Sequence, residues 1–488
     1  MAGQTAVYGL SSIVARMLNY LMVPYLSRIM TEAQYGVIGD IYSWIPFLLV
    51  LLTMGLETGY FRFAGKAENE AAKREVFATT WGAVSGGAVI FMAVVLIFTP
   101  EIASALGYSD FPSYIRVAGA IVMFDVITAI PFARLRQEGK AGKFVMVRVA
   151  SVAINIALTV FFYSALPALA EGGGMWSAVY DPAYGPGYMF VANLIASVAV
   201  LLMLWPAYRD TAPKINRKLL RTILIYSLPL LLSGIIGTAN QFADRQLLKF
   251  LSPEAEAMAN LGVYTVVMKL GTILLLFIQM YRYAAEPYFL TDIKHEDFVR
   301  ANADALKYFI IFSLLIFLGL TLYGDLLALM MGRDFRGGMV ILPVILLAYT
   351  LSGITFNLNF WYKKAEKTSY ALWITGTGLV FTIALNVAFI PLYGYVGSAW
   401  ARLGCEMAML LLSYYLNQKH CRTPYDLRRI GEYFLLAAAI YATAFFTGDL
   451  PSPVRHALNM LLIAGFLFFA VKKEKIDPKA IIHSIFNR

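Results

Sequence analysis

The sequence predicts an all-α polytopic membrane protein: about fourteen transmembrane helices, arranged as two six-helix lobes around a central cavity with two further helices at the C-terminal end. Three observations carry that prediction. Apolar residues make up 59% of the 488 positions against 14% charged, where soluble chains carry roughly 25% charged residues. They fall into continuous runs long enough to span a bilayer, without the short alternation that a membrane β-barrel needs. Finally, lysines and arginines concentrate in every second loop.

The runs lie at residues 4–28, 36–61, 77–98, 113–133, 144–166, 187–206, 222–242, 261–283, 303–323, 338–358, 370–391, 395–416, 431–447 and 454–471. The first lacks the basic n-region and small-residue cleavage site of a signal peptide and reads as a retained span. Arg16 lies near its middle, with Ser12, Asn19 or Tyr20, and Ser27 on the same helical face. A charge at mid-membrane costs about 2.5–3.5 kcal/mol on insertion scales, so such a residue faces a protein interior or a wet cavity.

Loops after even-numbered spans hold Lys66, Lys73 and Arg74; Arg134, Arg136, Lys140 and Lys143; Arg209, Lys214, Arg217, Lys218 and Arg221; Lys363, Lys364 and Lys367; Lys419, Arg422, Arg428 and Arg429. After odd-numbered spans come Arg28, Arg245, Lys249, Arg333, Arg336 and Arg455. The positive-inside rule therefore places the first set, and both termini, in the cytoplasm. It also absorbs the net charge of +10 without a nucleic-acid partner. Cys405 and Cys421 read as free thiols. The longest external loop, 167–186, is punctuated by glycine and proline and is expected to fold over the outer mouth.

Residues 25–44 and 247–270 resemble one another. Each has a basic residue, two apolar residues, Ser or Thr, a Glu-Ala pair, a spacer, and Gly-Val opening a span. Both sit between the first and second spans of a six-span block. Two blocks with an even number of spans form a parallel repeat about an axis along the membrane normal. The corresponding division is 1–215, 216–420 and 421–488.

The stretch NVAFIPLYGYVGSA at 386–399 adds an independent signal. Pro391 should end one helix, Gly394 permit a turn, and Gly397, Ser398 and Ala399 let the next helix pack closely. This pattern, with the LSRIMTEAQYG turn and NQFADRQLLKFLS at 240–252, resembles polysaccharide-type flippases of the multidrug/oligosaccharidyl-lipid/polysaccharide exporter superfamily, a group that includes O-antigen and lipid II flippases. The resemblance implies alternating access to a lipid-linked oligosaccharide in a bacterial inner membrane, with polysaccharide-assembly proteins as partners. The last two spans are similar to those of fourteen-span members.

An isoprenoid pyrophosphate needs cations in the lumen. The candidates are Arg16, Lys269, Arg148, Arg116, Arg62 and Arg282, with Asn19 beside the first. Arg148, Ser151 and Asn155 share a face, as do Thr265, Lys269, Thr272 and Gln279. Arg402 and Glu406, four apart, read as an ion pair on one helix. Glu57, Asp125, Asp244 and Asp40 are candidates for proton or sodium coupling, since buried carboxylates can carry a proton or ligate a cation. Glu57 could instead be neutralised by Arg62. No catalytic constellation, metal cluster or phosphate-binding loop is apparent, and no cofactor is expected. A multidrug–cation antiporter would call for a lumen dominated by carboxylates and aromatics, and the arginines argue against it. A polymerase or ligase acting on lipid-linked sugars would place catalytic groups on large external loops.

Overall fold

Thr31 starts the first described long helix. Its hydroxyl accepts from Gln34 N, and the Gln34 side chain accepts from Thr31 N. This capping box satisfies two donors that a helix start leaves open. The TEAQ tetrapeptide of the repeat is thus a helix-start signal.

The computed structural model describes residues 17–475 except 19, 212, 290–293, 366 and 368. All regular structure among them is helical. The main helices are α1 (Glu32–Thr53), α2 (Leu56–Gly65), α3 (Glu70–Ile97), α4 (Ser113–Gln137), α5 (Ala141–Val160), α6 (Gly187–Met203) and α7 (Arg217–Leu251). They continue with α8 (Glu254–Leu270), α9 (Thr272–Phe289), α10 (His295–Leu322), α11 (Leu342–Leu358), α12 (Ser369–His420), α13 (Leu427–Phe446) and α14 (Ser452–Lys473). Asn69 and Asn216 cap α3 and α7 through their side chains.

Among the described residues ten helices are long and apolar enough to cross a membrane, or twelve when each of two bent pairs is taken as one span. Helices occur at the positions expected for every span from the second onward. The first expected span lies mostly outside the described residues, so the count of fourteen remains an expectation. Two breaks refine the sequence reading. The second expected span is α1 and α2 separated at Met54 and Gly55, both with positive φ. The eleventh and twelfth are the two arms of α12, which meet at Gly394 with φ 54° and ψ −132°. Helical structure continues through Pro391 and breaks three residues later, where only glycine tolerates the backbone comfortably. Beyond the break, a Cβ on Gly397 would lie 2.4 Å from Phe389 O. Ser398 and Ala399 are fully buried, so the small residues do allow close packing.

By contact density the chain forms two units: residues 1–269 with 371–401, and residues 270–370 with 402–488. In the first unit α4 packs on α3 and α6, α5 on α6, and α7 on α1 and α2. In the second, α10 is the centre, touching α9, α11, α13 and α14.

The loop at 167–186 is built from short helical turns, Leu166–Glu171, Met175–Val179 and Pro182–Tyr184. Tyr114 Oη donates to Tyr184 O at 2.6 Å and Tyr163 Oη to Gly185 O at 2.9 Å, pinning it to α4 and to the helical turn Phe161–Ala165 that follows α5. Gly173 and Gly174 take φ of 79° and 76° at its turn. Cys405 and Cys421 are free and buried.

Candidate functional site: intramembrane charges and their partners

The two halves of the sequence repeat meet at their glycines. A Cβ on Gly36 would sit 1.9 Å from Met258 O, and one on Gly262 would sit 1.9 Å from Glu32 O. Each glycine therefore faces the carbonyl four residues before the other. Gly39 stands against Thr265, three residues beyond each glycine. Such reciprocity is the contact pattern of a two-fold axis passing between α1 and α8. Small residues permit this backbone approach, as at other membrane helix crossings.

Lys269 lies two turns beyond Gly262. Its ammonium donates to Tyr35 Oη at 3.1 Å and stands 5.0 Å from that ring's centroid. Other predicted cations also rest on aromatic faces. The Arg62 guanidinium is 4.3 Å from the Tyr226 ring centroid, Arg148 4.3 Å from Phe132 and Arg282 4.5 Å from Phe356. Arg116 is exposed in the first turn of α4. None of these five forms an ion pair among the described residues. Cation–π contact holds such a group while leaving its donors open to an anion. Arg16 and Asn19 lie outside the described residues.

The carboxylates are divided differently. Glu57 pairs with Arg136 of α4, not with Arg62. The sequence reading had Arg136 in a loop, whereas α4 extends to Gln137 and carries it back over α2. Asp40 is fully buried and pairs with Lys249. It also accepts from Tyr108 Oη at 2.6 Å and Gln246 Nε2 at 2.7 Å. Lys249 donates in addition to Leu106 O at 2.7 Å. Sequence reasoning missed this pair because it assigned Lys249 to an external loop, while α7 continues to Leu251. The amphipathic placement of Gln246 and Lys249 one turn apart was the available signal.

Asp244 is buried, with Tyr264 Oη donating to it at 2.9 Å. Asp125 accepts from Ser197 Oγ at 2.8 Å and stands within electrostatic range of Arg148 without a direct ion pair. The Arg402–Glu406 pair forms along one turn at 3.7 Å, as expected. The polar stripes are partly consumed by packing. Asn155, on the stripe with Arg148, donates to Asn193 at 3.2 Å. No group of three or more metal-ligating side chains occurs among the described residues.

A model of the polysaccharide biosynthesis protein family matches residues 2–291. The chain belongs to that family. A relative from Haemophilus influenzae, the Lsg locus putative protein 1, is 20% identical over 438 residues, which is 86% of this chain and 98% of the relative. Among solved structures, the lipid II flippase MurJ in an inward closed conformation superposes with a TM-score of 0.76 at 13% identity, covering 96% of this chain and 99% of MurJ. An inward-facing multidrug resistance MATE transporter gives 0.67 at 16% identity, covering 83% and 94%. This member of the polysaccharide biosynthesis family therefore has the fold of the exporter superfamily that contains both. It is a multi-pass membrane protein of a transporter and flippase family.

Proposed function

We propose that this protein is a flippase that carries an oligosaccharide or polysaccharide precursor, linked to an isoprenoid pyrophosphate, from the cytoplasmic to the external leaflet of a bacterial inner membrane by alternating access. One observation carries the reading. The cations Lys269 and Arg148 within spans, with Arg62 and Arg282 at the cytoplasmic ends of the second and eighth, have aromatic partners and no carboxylate in ion-pair contact among the described residues. An unneutralised cation in an apolar segment is costly and marks a substrate path. A pyrophosphate supplies the missing charge, and Lys and Arg donors bind phosphate oxygens by charge-assisted hydrogen bonds. Arg16 and Asn19 complete the proposed set in the first span, and Arg116 serves its external end. The arrangement needs no bond-making group, in keeping with transport and not catalysis. Termini in the cytoplasm follow from the basic loops.

Energy coupling is assigned to a carboxylate. Asp125 is the favoured carrier because its described partners are a hydroxyl and a distant guanidinium, whereas Glu57 and Asp40 already pair with cations. Asp244 is the alternative. Likeness to a MATE transporter favours a second reading, export of cationic drugs against an ion gradient.

The test is translocation in sealed proteoliposomes, with a proton or sodium gradient imposed. Movement of intact lipid-linked sugar across the bilayer supports the flippase. Efflux of cationic dye without lipid movement supports the antiporter, and a lengthened or altered sugar overturns both in favour of an enzyme.

A further inference from the structure

We propose that a cavity at the N-terminal end of α10, away from the intramembrane cations above, binds the phosphate group of an anionic ligand. His295, Phe298, Trp361, Lys364, Lys367 and His420 line it, in a volume of about 230 Å³. That is below the ~300–1,000 Å³ of sites for drug-sized ligands and suits a headgroup. No carboxylate lines it among the described residues.

Two independent features point inward. His295 and Phe298 belong to the first turn of α10, and its N-cap residue Lys294 provides no side-chain cap. The first amides of a helix are unpaired within it and carry the positive end of its dipole, so they favour an anion. Trp361 is 4% exposed, yet its indole N–H has no hydrogen-bond partner. Buried donors are normally satisfied, and leaving one unpaired costs about 1–3 kcal/mol. Trp361 is one of the residues that line the cavity. Its ring is fixed by stacking on His420, with centroids 5.0 Å apart and planes at 14°. His420 is itself held by Tyr370 at 3.1 Å. Lys367 is exposed at the rim and supplies a mobile charge.

The cavity lies where α10 begins and where the short helix Phe360–Lys364 and α12 end. Ends of spanning helices lie level with lipid headgroups, and basic pockets between such ends are where anionic headgroups bind. A lipid phosphate is therefore the source the location favours over a free phosphate. The site does not depend on the transport reading.

The test uses purified full-length protein, titrated with short-chain phosphatidylglycerol and followed by native mass spectrometry. Diacylglycerol of the same chains serves as the phosphate-free control, and inorganic phosphate as the competitor. One saturable site for phosphatidylglycerol is expected, with about tenfold weaker binding in each of Trp361→Phe and Lys367→Gln, the loss of one hydrogen bond to a charged group. Trp361→Phe keeps an aromatic face but removes the donor together with part of the buried ring volume; Lys367 is exposed, so its replacement leaves packing intact and is the cleaner of the two tests. Unfolding temperatures equal to that of the parent protein confirm folding. Displacement by inorganic phosphate alone would identify a soluble phosphate as the ligand; resistance to it would identify a lipid. Affinity unchanged in both variants, or diacylglycerol binding as tightly as phosphatidylglycerol, would overturn the proposal.

Discussion

Replacing Lys249 by Met tests the buried Asp40–Lys249 pair. The Asp40 side chain is 0% exposed and that of Lys249 8%, so neither charge can turn to solvent when its partner is lost. Asp40 would keep Tyr108 and Gln246 as neutral donors. Breaking a buried pair from one side costs about 3–5 kcal/mol, because an uncompensated charge remains. Lys249→Met is therefore expected to destabilise the protein by that amount. Asp40→Leu should do similarly, leaving the ammonium with Leu106 O as its described acceptor. The double variant removes both charges and leaves only neutral groups without these partners, Tyr108 Oη and Leu106 O, for about 1–3 kcal/mol each. Its cost should thus lie below the sum of the single costs. Reversible unfolding in detergent, followed by tryptophan fluorescence across denaturant, measures all four corners of the cycle. Raised salt should change the coupling little, since buried pairs are weakly screened. Single costs below about 1 kcal/mol that simply add would refute the pairing and place both groups in water.

Other outcomes follow from the same contacts. Gly262→Val should lower the unfolding temperature by a cost of about 1–3 kcal/mol or more, since its Cβ would meet Glu32 O at 1.9 Å; the same substitution at Gly86, which has open space, is the control read in the same melt. Glu57→Gln should cost no more than about 1 kcal/mol, because its pair with Arg136 is partly exposed. In sealed proteoliposomes, Lys269→Gln should weaken half-saturation by lipid-linked sugar about tenfold or more, the loss of one charge-assisted hydrogen bond. Glu474, 2% exposed, ties α14 to α10 and α13 through Lys307 at 2.7 Å and Tyr433 at 2.8 Å. Burial alone would raise its pKa, but hydrogen bonds from Lys307 and Tyr433 and the charges of Lys307 and Arg429 hold it below the usual carboxylate range. A folded pKa below the unfolded one adds stability that is present above the unfolded value and lost as pH falls through the folded value. Melts from pH 7 into the acid range should therefore show a loss that Glu474→Gln lacks.

Much of the fold is legible because a membrane allows few solutions. Spanning length and loop charge place helices at every expected position from the second span on, and the repeat places Gly36 and Gly262 in reciprocal contact. What remained hidden was where helices extend beyond their apolar runs. Arg136 and Lys249 looked like loop residues because hydropathy ends a span where its apolar run ends, while backbone hydrogen bonding carries α4 and α7 further. Arg136 consequently takes the place that spacing had offered to Arg62 beside Glu57, and Lys249 neutralises Asp40, for which spacing had offered no partner.

That error has a consequence for reading charge in any such chain. A candidate cation in a lumen is defined less by its depth than by whether another helix delivers it an acid. Sequence separations of 79 and 209 residues join Arg136 to Glu57 and Lys249 to Asp40, and no local pattern reveals either. By contrast, Arg402 and Glu406 are four apart and could be discounted from the sequence alone. Lys269, Arg62 and Arg282 meet the stricter criterion among the described residues and rest on aromatic faces; Arg148 also has an aromatic face, but Asp125 of α4 stands within electrostatic range of it. An aromatic face holds a cation without cancelling its charge, so a positive field that would attract the proposed anionic substrate survives folding.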